Sequence, residues 1–159
     1  MWELHHQISL KNPKMGEFIA FRKVFKQIPI TSAVDEASIE ALIRGQGYKE
    51  VYAPNAIIYN KGAQNFKEFI TRRRHIYAGH LETKNKYSYN VSTISTSKIV
   101  IALIKNFKFT RHFIFWTPFV ILIEAFGRFL GLIDYKFNPG KHTVWKITPS
   151  TKKLSKASK

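Results

Sequence analysis

A chain of 159 residues, 45% hydrophobic and 23% charged, has the composition of one modest domain with a real core rather than of a disordered segment. The absence of cysteine excludes a disulfide scaffold, a thiolate metal site and a cysteine nucleophile, and it fits a reducing cytosol. A formal net charge of +16 favours polyanionic partners such as phosphorylated sugars, nucleic acid or anionic lipid head groups.

The start, Met-Trp-Glu-Leu-His-His, has neither the basic beginning nor the apolar run of a signal peptide, so secretion is not expected. From Lys14 to Lys26 the mixture of Phe18, Ile19, Phe21, Val24 and Phe25 with charges predicts a short strand running into a helical turn. Pro29 interrupts it, and Thr31-Ser32 lead into the next element. Ala37, Ile39, Ala41, Leu42 and Ile43 share a helical face, which predicts a helix from Asp35 to Gln46. Its first turn is acidic and Gly47 is its stop. Tyr48 to Ala53 and Ala56 to Tyr59 read as two strands, or one interrupted extended segment, around Pro54-Asn55. Phe66, Phe69, Ile70, Ile76 and Tyr77 recur at helical spacing, so Arg72-Arg73-Arg74 fall on a helix.

Beyond His80 the chain becomes polar from Glu82 to Ser97, which divides it at residue 82. Residues 83–111 then form a polar and basic linker with a short helix, in which Ile99 to Ile104 is too short to cross a bilayer. Residues 112–135 are the membrane-associated helix: Phe113 to Ile133 is the most apolar stretch and about the 20 residues a span needs. Pro118, Glu124 and Arg128 lie inside it, and the last two can pair four residues apart, so a span and a half-inserted helix are both open. Residues 136–159 form a basic tail with an expected strand from His142 to Ile147 and a lysine cluster, Lys152, Lys153, Lys156 and Lys159, suited to the cytoplasmic, anionic side of a membrane. Past Glu82 only Glu124 and Asp134 oppose the bases, so the second half holds most of the excess charge.

Two clusters bear on chemistry. Asp35-Glu36 offer a carboxylate to accept a hydroxyl proton, or simply an acidic helix start. Arg72-Arg73-Arg74-His75 offer paired hydrogen bonds to a diphosphate, or a solvated or lipid-facing patch. His5-His6 lack a second ligand pair and make no metal site, and His80, His112 and His142 are scattered. Phe107-Lys108-Phe109 and Arg111-His112-Phe113 have a composition that stacks on single-stranded nucleic acid, but beside an apolar helix they read as a membrane edge; no nucleic-acid partner is expected.

In order, Gly16-Glu17-Phe18-Ile19-Ala20-Phe21-Arg22, Asp35-Glu36, Gly47-Tyr48, Tyr52-Ala53-Pro54-Asn55-Ala56 and Arg72-Arg73-Arg74 resemble the C-terminal half of membrane-associated family 2 inverting glycosyltransferases. The likeness covers about residues 1–80, and the stretch from Glu124-Ala125-Phe126-Gly127-Arg128 to Trp145 is similar to the tail of prokaryotic, archaeal-type members. It implies an α/β fold, the acceptor-side portion of a Rossmann-like GT-A domain, followed by the membrane helix. In that family an acidic pair, usually Glu-Asp, precedes a helix ending in Gly-Tyr, and its Asp is the acceptor base. Here the order is Asp-Glu: counting back from Gly47 selects Glu36, whereas residue chemistry selects Asp35, and both are kept as catalytic candidates.

The resemblance also implies that Arg72, Arg73 and Arg74 bind the donor diphosphate and that His75 and Gly16 meet the acceptor. Where relatives similar to cellulose and hyaluronan synthases carry Gln-x-x-Arg-Trp, this chain has Thr71-Arg72-Arg73-Arg74-His75 and keeps only Arg74, which favours single-sugar transfer over processive synthesis. The implied partners are a nucleotide-sugar donor, a lipid-linked or saccharide acceptor and membrane lipids, at the cell membrane with the catalytic part cytoplasmic. Family members hold Mg²⁺ or Mn²⁺ on an upstream Asp-x-Asp. No Asp-x-Asp occurs here, so the expectation is a fragment starting at an internal Met, lacking the donor-binding half and inactive alone.

Overall fold

A computed structural model describes residues 2–28, 30, 32–91, 94–107, 109–138, 140 and 144–152. Pro29, Thr31, Lys108, His142, Lys153, Lys156 and Lys159, named above, lie outside the described residues. The elements are α1 (Trp2–Lys11), α2 (Asp35–Arg44), α3 (Phe66–Tyr87), α4 (Thr96–Lys105), α5 (Arg111–Phe137) and the single turn α6 (Pro149–Lys152).

The α/β architecture is therefore corrected: every regular element among the described residues is a helix, and none is a strand. The segments that read as strands are irregular. Val51 is 90% and Tyr59 97% exposed, and the only backbone bonds around Pro54-Asn55 are local, from Ala56 N to Ala53 O (3.1 Å) and Ile57 N to Asn55 O (3.1 Å). β-branched and aromatic residues report a fit to a pleated, half-covered surface, not a backbone preference of their own. A strand also requires a neighbour to take its N–H and C=O groups. No such ladder forms among the described residues at 14–26, 48–59 or 144–147.

The helices follow from local chemistry. Asp35 and Glu36 place negative charge at the positive end of α2, and its C-terminal carbonyls receive Gly45 N, Gly47 N and Tyr48 N. Gly47, at φ 83°, then reverses the chain, a conformation that a side chain would strain. Asn65 caps α3 by accepting from Glu68 N at 2.9 Å, and Thr110 caps α5 by accepting from Phe113 N at 3.2 Å. Helix α3 runs without a break through Glu82, where the composition shifts.

Two small cores flank α2. Ala33, Val34, Ala37 and Val91 form one, covered by Tyr89 and Ile94. Met15, Ile39 and Ile43 form the other, covered by Ile19, Val24, Phe25 and Ile28. Gly79 admits α3 to the first: a Cβ there would lie 2.6 Å from Val34 Cγ2 and 2.9 Å from Ala33 Cβ. Helix α4 packs on α1.

The principal helix contact joins α3 to α5. It depends on Gly127, whose Cβ would meet Arg73 Cβ at 2.9 Å, and on Gly131, whose Cβ would meet Arg74 O at 2.6 Å. Where backbones approach this closely, ions lock the seam. Glu124 receives Arg73 and Arg128, each at 3.1 Å, and Asp134 takes both faces of the Arg74 fork. The other half of α5 has no such partners. Ile114, Phe115, Trp116, Phe119, Ile121 and Leu122 are all exposed, and Pro118 sits among them without an N–H to bond the Ile114 carbonyl. Helix α5 is long and apolar enough to cross a membrane.

Candidate active site

The acidic pair begins α2, and the helix separates its two members. Asp35 is exposed, while Glu36 is half-buried next to the first core. Burial raises the Glu36 carboxyl above the ordinary range, against the pull of its own backbone N–H and of Lys14. One turn on, Glu40 is completely buried. It accepts from Met15 N (3.0 Å) and from the Tyr89 hydroxyl, with the Arg44 guanidinium at 3.7 Å. Burial again pushes its carboxyl up, opposed by those two hydrogen bonds. Burial and the adjacent carboxylate hold the Tyr89 hydroxyl protonated far above its usual range.

Lys14, between α1 and Met15, brings positive charge to this corner. Burial lowers its pKa, while the fields of Glu40, Glu36 and Glu17 oppose the shift. His80 of α3 and His5 of α1 stand in the same neighbourhood. Burial first, then Lys14 and Arg128, lower His80 to about 4; burial, Lys14 and Arg73 do the same to His5. Both imidazoles are therefore neutral near pH 7, and His80 Nδ1 is buried with no hydrogen-bond partner among the described residues. The corner thus gathers the buried Lys14, the Arg73 and Arg128 guanidinium groups paired to Glu124, two neutral imidazoles and the carboxyl groups of Glu36 and Glu40.

The arginine triplet divides three ways because successive helical residues point about 100° apart. Arg73 pairs with Glu124 and its charge reaches Lys14 and His5. Arg74 is forked onto Asp134. Arg72 has no ion-pair or hydrogen-bond partner among the described residues and opens on a cleft of about 310 Å³ between the start of α3 and residues 145–149. His75 lines the same cleft with its ring centroid 4.7 Å from that of Trp145. The Trp145 indole in turn donates to Ala33 O at 2.7 Å, so the cleft adjoins the start of α2. Gly16 follows Met15 directly, and a side chain there would stand in open space.

Sequence reasoning passed over Glu40, Lys14, His5 and His80 as site residues, and Trp145 entered only as part of the tail. Glu40 alone left a trace: an acid between Ile39 and Ala41 on the apolar face, four residues before Arg44. The others converge across 65 residues or more of chain, which no local pattern records.

The expected Mg²⁺ or Mn²⁺ finds no donor set in this corner. Among the described residues no group of three or more His, Asp or Glu is placed to hold a metal, and Lys14, Arg73 and Arg128 oppose a divalent cation beside Glu36. Comparison with protein-family models, curated proteins and solved structures finds no match.

Proposed function

We propose that this chain supplies the acceptor side of a membrane-attached sugar transferase, with Glu36 as the acceptor base. The observation that carries this reading is a half-buried carboxyl of raised pKa beside the buried Lys14, whose neighbourhood also holds Glu40 and the Arg73 and Arg128 guanidinium groups paired to Glu124. Transfer with inversion needs that pairing of opposites. The acceptor hydroxyl gives its proton to the carboxylate as its oxygen bonds to the anomeric carbon. On the far side the carbon–oxygen bond to the diphosphate breaks, and the diphosphate leaves carrying the electron pair. A raised pKa makes Glu36 the stronger base, and desolvated cations stabilise the charge that develops on the leaving group. Arg72 and Arg73 are assigned to that second task, Arg73 being the one whose charge reaches Lys14. Arg74, committed to Asp134, is assigned to holding α5 on α3 instead. The nucleotide-sugar and its metal would be bound by a donor-binding portion other than these residues, since the sequence has no Asp-x-Asp.

The exposed half of α5 would sit in the bilayer of the cell membrane, with the basic tail suited to its cytoplasmic face. The transfer reaction is tested in membranes of cells expressing the gene in its full genomic frame, supplied with labelled nucleotide-sugars. Glu36→Gln should lower transfer at least 100-fold, within the range a positioned base contributes. Asp35→Asn should lower it less than tenfold, because Asp35 is exposed. Undiminished transfer by Glu36→Gln ends the assignment.

A second reading, a non-enzymatic basic membrane-binding protein, is favoured by the charge of +16 together with the exposed α5 surface. Sugar transfer that depends on Glu36 would exclude it as the whole function. Flotation on anionic vesicles, released by high salt, with no transfer from any donor, would favour it.

A further inference from the structure

The cleft that Arg72 faces is built from both ends. Trp145 is held by its indole bond to Ala33 O, and five residues later Ser150 is held to the start of α3: its hydroxyl and N–H donate to Glu68, and its oxygen accepts from Gln64 N at 3.2 Å. The segment between them is thereby strapped across the first turns of α3, enclosing about 310 Å³, a volume that takes a monosaccharide-sized ligand. Its lining includes two aromatic rings, with Trp145 42% exposed against His75. It also includes the cationic side chains of Lys67, Arg72 and Lys146. The one acid in the wall, Glu68, is engaged by Ser150.

An aromatic face packs on the C–H face of a sugar ring, and a guanidinium donates paired hydrogen bonds to two oxygens of a phosphate. We infer that the Trp145–Arg72 cleft is a binding site for a phosphorylated monosaccharide, with the ring on Trp145 and His75 and the phosphate on Arg72, Lys67 and Lys146. The choice of a sugar as the ring rests on the transferase reading above; the anion and aromatic requirements do not. Such a ligand has two sources, a soluble sugar phosphate or a sugar phosphate carried on a membrane lipid, and both present the same ring and phosphate.

The test is titration of the whole chain in nanodiscs with glucose 1-phosphate, glucose and inorganic phosphate. It is followed by calorimetry, and by Trp145 emission in a Trp2→Phe, Trp116→Phe background. Glucose 1-phosphate should bind at least tenfold more tightly than glucose or phosphate, and its addition should shift the Trp145 emission. Arg72→Gln should erase that advantage, and Lys146→Gln should weaken binding about threefold. Arg72 has no ion-pair or hydrogen-bond partner to lose among the described residues, so its variant should stay folded, as far-ultraviolet circular dichroism would verify. Equal binding of glucose 1-phosphate by wild type and Arg72→Gln, or none by wild type, overturns the site. Competition by polyprenyl phosphoglucose in the same nanodiscs assigns the lipid source, and retention of the soluble probe against it assigns the soluble one. Glu36→Gln separates the two readings. Arg72-dependent binding without transfer from any donor keeps the site and removes the transferase. Glu36-dependent transfer with Arg72-independent binding does the reverse.

Discussion

The two halves of α5 differ in composition and have opposite surroundings, and the more apolar half is the exposed one. From Glu124 to Asp134 the helix lies on α3 through Gly127 and Gly131, with every acid paired to an arginine. From residue 113 to 122 it presents large apolar side chains on all sides and touches little protein. Total hydrophobicity therefore does not decide which half is covered. Covering requires small residues that let backbones approach and charges that can close the seam; a half with neither stays exposed. The same contrast holds on a larger scale, since the cores around α2 are small, one of Ala and Val and the other of Met15, Ile39 and Ile43, while Phe115, Trp116 and Phe119 stay outside.

The comparison breaks most sharply at Glu40. Glu40→Leu leaves the Met15 N–H and the Tyr89 hydroxyl without an acceptor, and should destabilise the α2 region by roughly 3 kcal/mol in urea unfolding, with α5 helicity retained. Leu122→Lys strikes the other half: it should lower vesicle partitioning by about 2.5 kcal/mol yet leave unfolding in detergent unchanged. If stability falls instead, the exposed half packs on protein and the contrast is wrong. Gly131→Ala should cost about 1–2 kcal/mol by driving a methyl group into the Arg74 carbonyl, and should raise proteolysis between α3 and α5.

The smallest effect expected is one of pH. An imidazole whose folded pKa is about 4 against an ordinary 6.5 takes its proton first in the unfolded chain. His5 and His80 therefore leave stability intact above about pH 6.5 and erode it as pH falls toward about 4, by on the order of 1 kcal/mol each once solvent screening is allowed for. His80→Leu should flatten that slope, read as unfolding midpoints from pH 7 to pH 4.5.

Much of the helical framework was legible. The apolar spacing from Ala37 to Ile43 is α2, the recurrence that carries Arg72 to Arg74 on one helix is α3, and the long apolar run is the body of α5. Residues 48–59 misled because Val51, Ile57 and Tyr59 are good strand formers in a segment with nothing to pair against, and pairing is a property of two segments. Helix α1 left no readable signal, being weakly amphipathic and dominated by His5, His6 and Gln7. Of the site, Glu36 and the arginines were visible as residue types in order. Their separation was not, because the pairing of Arg73 with Glu124 and of Arg74 with Asp134 depends on where two glycines, more than 50 residues away, let α5 lie.

Pro118 gives the free half of α5 a mechanical role. A carbonyl released from its helical bond lets a helix bend at small cost, and Pro118 lies within the exposed stretch, ahead of the clamped seam that begins at Glu124. Were the exposed stretch inserted in a bilayer, swivelling about residue 118 would absorb a thickness mismatch at fractions of a kcal/mol per ångström. The Arg74–Asp134 and Arg73–Glu124 contacts would not need to be pulled apart. The corner that holds Glu36 would thus be mechanically insulated from the thickness of any membrane that the exposed half enters.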